Sequence, residues 1–278
     1  MEIIDSQIHE PKTAAVWPDA DAEVRAAVAC EIAIAAMDAV GVDLALLDGS
    51  PAFNRMALER YRDRFRAVGR LDHEAPDLLE RVAEIKSDVG LLALRCVLFD
   101  WQGGTGTAAL REGRFDPLFN AAARADLPVF AFVNDATSDL SLVAARFPEL
   151  RLIVDHLGLT QPPVFRAAQP PFAKLDDLLA LATFENVAVK FSGAPTLSET
   201  PFPHEDLWPH LHRIVESFGV GRLMWASDFT RLRMVSADQK WAGLYSDAVG
   251  FLRDTPELSL DEKKAIFGGT VRTWLRWV

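Results

Sequence analysis

Apolar stretches rich in β-branched residues alternate with amphipathic, helix-like stretches along the whole chain. Eight of the apolar stretches have the length of strands: Glu2–His9, Val42–Asp48, Phe65–Asp72, Leu91–Phe99, Pro128–Val133, Arg151–Gly158, Val187–Ser192 and Arg222–Asp228. The helix-like stretches follow at Ala22–Val40, Phe53–Asp63, Pro76–Asp88, Asp116–Ala125, Ser138–Phe147, Phe172–Thr183, Asp206–Phe218 and from Ala237 onward. Strands that alternate with helices form a parallel sheet through right-handed crossovers, and nearly continuous apolar strands are typical of such a sheet.

Eight strand–helix units predict an α/β fold, a (β/α)8 TIM barrel with extra C-terminal helices. The length of 278 residues suits a single domain over residues 1–278, because such barrels typically have about 250 residues. An open, doubly wound sheet is the alternative, since a pattern along the chain does not show closure. The connections from strand to helix are long and those from helix to strand are short, so we expect the site at the C-terminal strand ends.

The net charge and composition of the chain argue against some classes of binding partner. A net charge of −11 argues against nucleic acid and anionic membranes, which need basic patches, but it does not exclude a small anionic substrate. No apolar stretch reaches 18 residues and no signal-like segment begins the chain, so we predict no membrane span and a cytoplasmic location. The two cysteines, Cys30 and Cys96, are expected to be buried free thiols. Homo-oligomerisation is left open.

Three phrases place a titratable side chain at the end of a predicted strand: Gln7-Ile8-His9, Val154-Asp155-His156 and Ala226-Ser227-Asp228. These ends meet at one pocket in a closed barrel, so His9, His156 and Asp228 are predicted to be catalytic. The carboxylate suits a general base that takes a proton from water, and the imidazoles suit groups that polarise a carbonyl. The competing interpretations are a helix-capping aspartate and histidines that make structural hydrogen bonds.

Other polar residues are predicted to bind the substrate. Gln7 lies two residues before His9 and faces the same side of the strand. Arg95 and Lys190 each interrupt an apolar strand, where an unpaired charge is costly. Facing the barrel interior, either could hold a carboxylate or sulfonate. The alternatives are an ion pair of Arg95 on the helix side and a pairing of Lys190 with an interior carboxylate such as Asp5.

Several residues near the strand ends give weaker signals. Trp101 and His73 are predicted to line the pocket, although aromatic residues there often only pack. Arg231 and Arg233 follow strand eight, where they could attract an anion or lie in water. Asp155 is expected to point away from the pocket and to anchor its loop.

Five stretches in order along the chain resemble the amidohydrolase superfamily: Ile4-Asp5-Ser6-Gln7-Ile8-His9, Leu152-Ile153-Val154-Asp155-His156-Leu157-Gly158, Val189-Lys190-Phe191-Ser192-Gly193, Arg222-Leu223-Met224-Trp225-Ala226-Ser227-Asp228 and Ala265-Ile266-Phe267-Gly268-Gly269-Thr270. The chain is most similar to the amidohydrolase-related branch, which holds pyrone-dicarboxylate lactonases, sulfomuconolactonases, sugar lactonases and metal-dependent decarboxylases. The resemblance implies a TIM-barrel hydrolase and does not name a substrate.

Two departures from the family pattern bear on a metal. The family's first strand normally ends His-x-His, and here it reads Gln7-Ile8-His9. The strand-five histidine of many metal-using members is absent from Phe130-Ala131-Phe132. If a divalent metal such as zinc is present, the resemblance implies that His9, His156 and Asp228 hold it. An amide oxygen is a weak ligand beside imidazole, so the sequence favours a site with no metal or a weakly bound one.

Three function hypotheses follow. The first is hydrolysis of a small lactone or related ester that carries an anionic group, with Asp228 as general base, His9, His156 and Gln7 polarising the carbonyl, and Arg95 or Lys190 holding the anion. The second retains a divalent metal and performs decarboxylation or hydration. The third is a barrel that binds a ligand without turning it over. A small anionic organic molecule is the predicted partner in the first.

Overall fold

The fold was analysed in a computed structural model, which describes residues 1–14, 16–101, 106–134, 136–162, 165, 167–231 and 243–278. The eight strands are β1 (Ile4–Ile8), β2 (Leu44–Leu47), β3 (Phe65–Gly69), β4 (Leu91–Val97), β5 (Val129–Phe132), β6 (Leu152–Val154), β7 (Val187–Lys190) and β8 (Leu223–Met224). The α-helices are α1 (Ala22–Val40), α2 (Pro51–Arg60), α3 (Leu78–Ser87), α4 (Gly106–Arg111), α5 (Asp116–Arg124), α6 (Leu140–Arg146), α7 (Leu175–Ala180), α8 (Trp208–Phe218), α9 (Tyr245–Arg253), α10 (Leu260–Lys264) and α11 (Thr270–Leu275).

The strands form one parallel sheet in the order β1 to β8, and the sheet curls into a nearly closed barrel. Hydrogen bonds from Ser6 N to Trp225 O (3.2 Å) and from Asp228 N to Gln7 O (3.1 Å) join the first strand to the last. The predicted (β/α)8 barrel is therefore confirmed over the open sheet.

The barrel interior is filled by one apolar residue from each strand. These residues are Ile4, Leu46, Val68, Ala93, Phe130, Ile153, Ala188 and Met224. The N-terminal end of the barrel is sealed by Val271, Trp274, Leu275 and Trp277, which pack into the same cluster. A second, larger apolar cluster lies between the strands and the surrounding helices. Because the lower barrel is filled, a ligand can enter only above this layer.

The local signals explain several element boundaries. Helix α1 begins where the Asp21 side chain accepts a hydrogen bond from Val24 N (2.8 Å), and it ends at Gly41, whose φ of 78° is left-handed. Before α10, Ser259 and Glu262 form a capping box. The start and end of α1 and the start of α10 thus follow from the types of residue at these positions in the sequence.

All eight predicted strands are present, each shorter than predicted, and the two cysteines are buried free thiols as expected. Helix α4 corrects one expectation, because it lies inside a connection that was predicted to be a loop. Within the described ranges, no helix is both long enough and apolar enough to cross a membrane.

Candidate active site

The side chains predicted to be catalytic meet above the filled interior of the barrel. His9 follows β1, His156 follows β6 and Asp228 follows β8. His156 and Asp228 adopt left-handed backbone conformations, with φ of 54° and 59°. Residues other than glycine adopt such angles at a cost of about 1–3 kcal/mol, and such residues are concentrated at active sites. The convergence predicted from the sequence is thus present.

One oxygen of Asp228 is the focus of the site. Its Oδ1 lies 2.8 Å from His9 Nε2 and accepts a hydrogen bond from Gln7 Nε2 at 2.9 Å. Gln7 Nε2 also lies 3.2 Å from His9 Nε2 and 3.3 Å from His156 Nε2. The amide nitrogen therefore contacts all three predicted catalytic groups.

Both ring nitrogens of His9 face oxygen atoms. Its Nδ1 lies 2.8 Å from the backbone oxygen of Asp48, which can only accept. Its Nε2 faces the carboxylate of Asp228, which accepts when ionised. An acceptor oxygen thus lies within hydrogen-bond distance of each ring nitrogen of His9, and the Gln7 amide nitrogen lies 3.2 Å from Nε2 as well.

His156 is placed to be neutral. Its Nε2 faces two donors, Gln7 Nε2 at 3.3 Å and Arg95 Nη2 at 3.5 Å, so this nitrogen must be the acceptor. Its Nδ1 lies 3.0 Å from Ser192 Oγ, which accepts the remaining proton. Burial is the main cause that lowers the pKa of His156 to about 4. The two histidines, equivalent in the sequence, therefore have different hydrogen-bond partners at Nε2: the Asp228 carboxylate for His9 and the donors Gln7 and Arg95 for His156.

Ion pairs connect the site residues to one another. Arg95 bridges two carboxylates, with Nη1 2.5 Å from Asp48 Oδ2 and Nε 2.6 Å from Asp155 Oδ2. Lys190 Nζ lies 2.7 Å from Asp155 Oδ1 and donates to Gln7 Oε1 at 2.5 Å. Since the Asp48 backbone also binds His9, these contacts form a closed ring around the barrel mouth.

The network sets the charge of its members. Burial alone would raise the pKa of Asp155, but Lys190 and Arg95 hold it at about 2. Burial would likewise raise the pKa of Asp228, whereas the neighbouring histidines, charged at the low pH where this carboxyl titrates, keep it well below its usual range. Both carboxyls are therefore ionised near neutral pH.

The interior carboxylate Asp5 serves the barrel seam. It accepts hydrogen bonds from Ser227 N (2.9 Å), Gln7 N (3.2 Å) and the Tyr245 hydroxyl (2.9 Å). The partner of Lys190 is thus Asp155 and not Asp5. Asp5, near the start of β1, is thus bound to Ser227, three residues after the end of β8, and this contact holds the first strand against the segment that leads to Asp228.

Arg95 and Lys190 lie beneath the site, with side chains 1% and 0% exposed. Both have carboxylate partners, and their predicted contact with a substrate anion stays a prediction. The sequence missed Asp48 and misplaced Asp155, which points into the network and not away from it. The alternation of strand side chains contained the signal, because Asp155 is two residues after the inward-facing Ile153.

A small pocket, with about 20 Å³ of free space, opens beside Asp228 and His156. Arg231 and Asn134 lie on its wall, and Phe132 is among the apolar side chains that line it. Among the described residues, the guanidinium of Arg231 has no salt-bridge partner. Arg231 is thus the cation that shares a pocket wall with the carboxylate. Arg233 lies outside the described residues.

Trp101 and His73 line a neighbouring cavity of about 340 Å³, together with Arg70 and Arg95. Trp101 packs edge-on against Phe132 with ring centroids 5.9 Å apart, and His73 stacks on Phe115 at 4.0 Å. Phe132 also lines the pocket beside Asp228, so the two spaces share an aromatic wall. The predicted contacts of Trp101 and His73 with a substrate stay predictions.

The fit of a divalent metal can be judged from the donor set. No group of three or more His, Cys, Asp and Glu side chains in the described part of the chain is arranged to hold a metal ion. The nitrogen that contacts His9, His156 and Asp228 belongs to the Gln7 amide, which presents N–H groups and not a lone pair. These residues do not fit a metal in the arrangement that they adopt.

Comparison with known proteins gives a consistent family signal. Residues 7–277 match the family model described as amidohydrolase. An L-fucono-1,5-lactonase from Burkholderia ambifaria is 27% identical over 217 residues, which are 73% of this chain and 67% of that protein. A 4-sulfomuconolactone hydrolase from Rhizobium radiobacter is 30% identical over 144 residues, which are 51% of this chain and 46% of that protein. The match therefore spans about two thirds of the first relative and less than half of the second.

Solved structures share the fold. A Burkholderia multivorans amidohydrolase with bound zinc superposes with a TM-score of 0.76 at 22% identity, over 99% of both chains. At this identity, the likeness concerns the architecture. The contacts of the site must therefore be interpreted from the residues of this chain.

Proposed function

The chain belongs to the amidohydrolase family, and from that premise we propose that it hydrolyses a small lactone, or a related carboxylic ester, that carries an anionic group. The observation that carries the proposal is the pocket wall on which Asp228 and Arg231 lie together. The carboxylate supplies the base for hydrolysis, and the guanidinium supplies the charge that an anionic substrate needs. Two relatives named for lactone hydrolysis support the same class of reaction.

Asp228 is the general base of the proposed reaction. Its Oδ1 is engaged by His9 and Gln7, so its second oxygen is the one available to a water molecule. The water oxygen attacks the lactone carbonyl carbon while one water proton passes to the carboxylate. The ring C–O bond then breaks, and the ring oxygen leaves as an alcohol after it takes up a proton. The product is a hydroxy carboxylate.

His9 is the proton-bearing partner of this base. Its Nε2–H points at the oxygen of Asp228 that does not face the pocket water. Once Asp228 has taken the water proton, it holds this N–H less strongly, and His9 is then the adjacent donor that can polarise the carbonyl or protonate the ring oxygen. His156 has a different part in the proposal, since its Nε2 is an acceptor that holds the Gln7 amide.

Arg231 is assigned to the anionic group of the substrate. A guanidinium binds a carboxylate or sulfonate through two parallel hydrogen bonds, and this geometry orients the ring carbonyl toward Asp228. The paired Arg95 and Lys190 contribute by holding Asp48, Asp155 and Gln7 in place. A lactone suits the site because ring opening needs less electrophilic assistance than amide cleavage.

The replacement Asp228→Asn tests the proposal. We expect the rate of lactone hydrolysis to fall by at least about 100-fold, because the amide cannot accept the water proton. The measurement is kcat/KM on a panel of lactones with and without a carboxylate or sulfonate, with Asp261→Asn on the protein surface as control. Release of CO2 from aromatic carboxylates, assayed in parallel, would favour the decarboxylase hypothesis. Near-full hydrolysis by Asp228→Asn would reject the assigned base.

A further inference from the structure

We infer that the Gln7 amide, held in one orientation by Lys190, takes over the structural task of a metal ion in this site and keeps divalent cations out. The inference concerns what joins His156 and Asp228, whatever substrate the site turns over. It rests on the contacts of one amide group with the residues around it.

Lys190 determines which end of the amide faces the site. The ammonium has donors only, and it lies 2.5 Å from the amide atom assigned as Gln7 Oε1. The oxygen must face this ammonium, so the NH2 group must face the opposite side. Lys190 is itself fixed by Asp155 at 2.7 Å and by burial, since its side chain is 0% exposed. The hydrogen-bonding chemistry of the Lys190 ammonium therefore fixes the orientation of the Gln7 amide.

The two amide N–H groups then have matching acceptors. One is donated to Asp228 Oδ1 at 2.9 Å. The other is directed to His156 Nε2 at 3.3 Å, because His9 Nε2 already points its own proton at Asp228. A metal ion would hold these groups through their lone pairs, and the amide holds the same lone pairs through hydrogen bonds.

A cation that enters the space between Asp228 and His156 meets the N–H groups of Gln7, where it would need an atom with a lone pair. The amide nitrogen of Gln7 has no available lone pair, and its N–H bonds project into the space shared by Asp228 and His156. Rotation of the amide would bring its oxygen inward but would turn NH2 toward the Lys190 ammonium, leaving buried donors opposed and unpaired. Metal binding therefore requires the loss of the Gln7–Lys190 contact.

Replacing the NH2 group of the Gln7 side chain by an oxygen atom tests the inference. In Gln7→Glu, a carboxylate oxygen replaces the NH2 group while the other oxygen still accepts from Lys190. We expect tag-free wild-type protein to retain no zinc or cobalt(II) after dialysis against the metal and gel filtration. We expect the variant to bind one equivalent at least about 100-fold more tightly, since even residues that only support a ligand alter metal affinity by 10–100-fold.

The readouts are metal content, the visible absorption of bound cobalt(II) and the metal-induced shift in melting temperature, so none depends on catalysis. Gln7→Met is the matched control, because it removes the donor and adds no charged ligand, so it should bind the metal more tightly than the wild type but less tightly than Gln7→Glu. A Gln7→Met variant that binds no more tightly than the wild type would contradict exclusion by the amide. If Gln7→Glu does not fold, Gln7→His takes its place as the ligand-bearing variant. One tightly bound equivalent in the wild type that His156→Asn abolishes would overturn the inference. So would the absence of any gain in both ligand-bearing variants.

Discussion

His9 and His156 show how neighbours decide the chemistry of a residue type. Acceptors face both nitrogens of His9, whereas donors face Nε2 of His156. The first imidazole can therefore give a proton and the second can only receive a hydrogen bond at that nitrogen. The groups that make this difference are the Asp48 backbone oxygen, the Asp228 carboxylate, Arg95 and the oriented Gln7 amide.

The pKa of His156, lowered by burial to about 4, predicts a pH dependence of stability. The unfolded imidazole titrates near 6.5, so the unfolded chain takes up a proton between about pH 6.5 and 4 that the folded chain refuses. This contribution to stability is complete above pH 6.5 and is lost as the pH falls toward 4. Between pH 7 and 5 it should decrease by roughly 2 kcal/mol.

The measurement is the free energy of unfolding in urea at pH 7 and pH 5 for the wild type and His156→Asn. Asp5 acts in the opposite direction, because burial raises its pKa to about 6 and the folded state then binds a proton as the pH falls. Since Asp5 is present in both proteins, the His156 contribution is the difference between them. A difference that stays constant between the two pH values would contradict the neutral assignment.

At the scale of single residues, the sequence predicted which side chains lie together, because the strand ends of a barrel converge. It did not assign their states, because a proton on a ring nitrogen depends on partners distant in the chain. Asp48 was missed because it looks like a loop aspartate until Arg95 is seen beside it, whereas the inward direction of Asp155 could have been inferred from its spacing from Ile153.

At the scale of elements, the turns after the strands position the site. The turn after β6 places His156 in a left-handed conformation, and Gln161 Nε2 donates to the backbone oxygen of His156 at 2.9 Å. Gly193 follows β7 with a φ of 65°, and a Cβ there would lie 2.2 Å from Gln161 Oε1. The glycine thus makes room for the side chain that supports the His156 turn.

Gly193→Ala should therefore destabilise the protein and disturb the site. Gly41 is the matched control, because its backbone is also left-handed, with φ of 78° and ψ of 36°, but a Cβ there meets nothing within 4 Å. Gly41→Ala should lose about 1 kcal/mol of unfolding free energy from backbone strain alone. Gly193→Ala should lose clearly more and should also reduce lactone turnover. Equal losses in urea unfolding would show that the space occupied by Gln161 does not matter.

The regular elements were largely predictable, because hydrophobic periodicity and capping residues are local. Helix α1 has the predicted bounds, whereas α4 was missed in a glycine-containing connection. A helix of six residues leaves too little periodicity to distinguish it from a loop. The turn after β6 was not predictable in its conformation, because its support comes from Gln161 and Ser192.

At the scale of the whole molecule, opposite ends of the barrel have different tasks. One interior layer is apolar and is sealed by Val271, Trp274, Leu275 and Trp277, whereas the layer above it carries the ion-pair ring. Lys190 lies at their boundary, with Nζ 4.0 Å from the centroid of the Phe130 ring. Stability and chemistry are thus supplied by different layers of the same barrel.

Trp277→Ala should lower the free energy of unfolding by about 3–5 kcal/mol, because the side chain is 4% exposed and its removal opens the barrel floor. Well below the melting temperature, KM for the lactone should change little, since the floor is on the side opposite the site. Trp17→Ala, at a position 47% exposed, is the control for stability and should cost far less. The check is thermal and urea unfolding together with KM. A large change in the KM of the fully folded Trp277→Ala variant would contradict the separation of the barrel floor from the site.

The closure of the barrel was predicted from the number of strand–helix units, because the hydrophobic pattern of the sequence does not itself show closure. The contribution of the last residues to the interior could not be predicted, because an apolar helix alone does not reveal what it covers. The seam at Asp5 is likewise visible only once Ser227 and Tyr245 lie beside it.

The apolar floor has a consequence for synthesis in the cell. Val271, Trp274, Leu275 and Trp277 belong to the apolar cluster that holds one interior side chain from each of the eight strands, beginning with Ile4. The first strand therefore gains the last members of its cluster only after residue 277 has been translated, and until then the exposed apolar strands are open to aggregation and to chaperones.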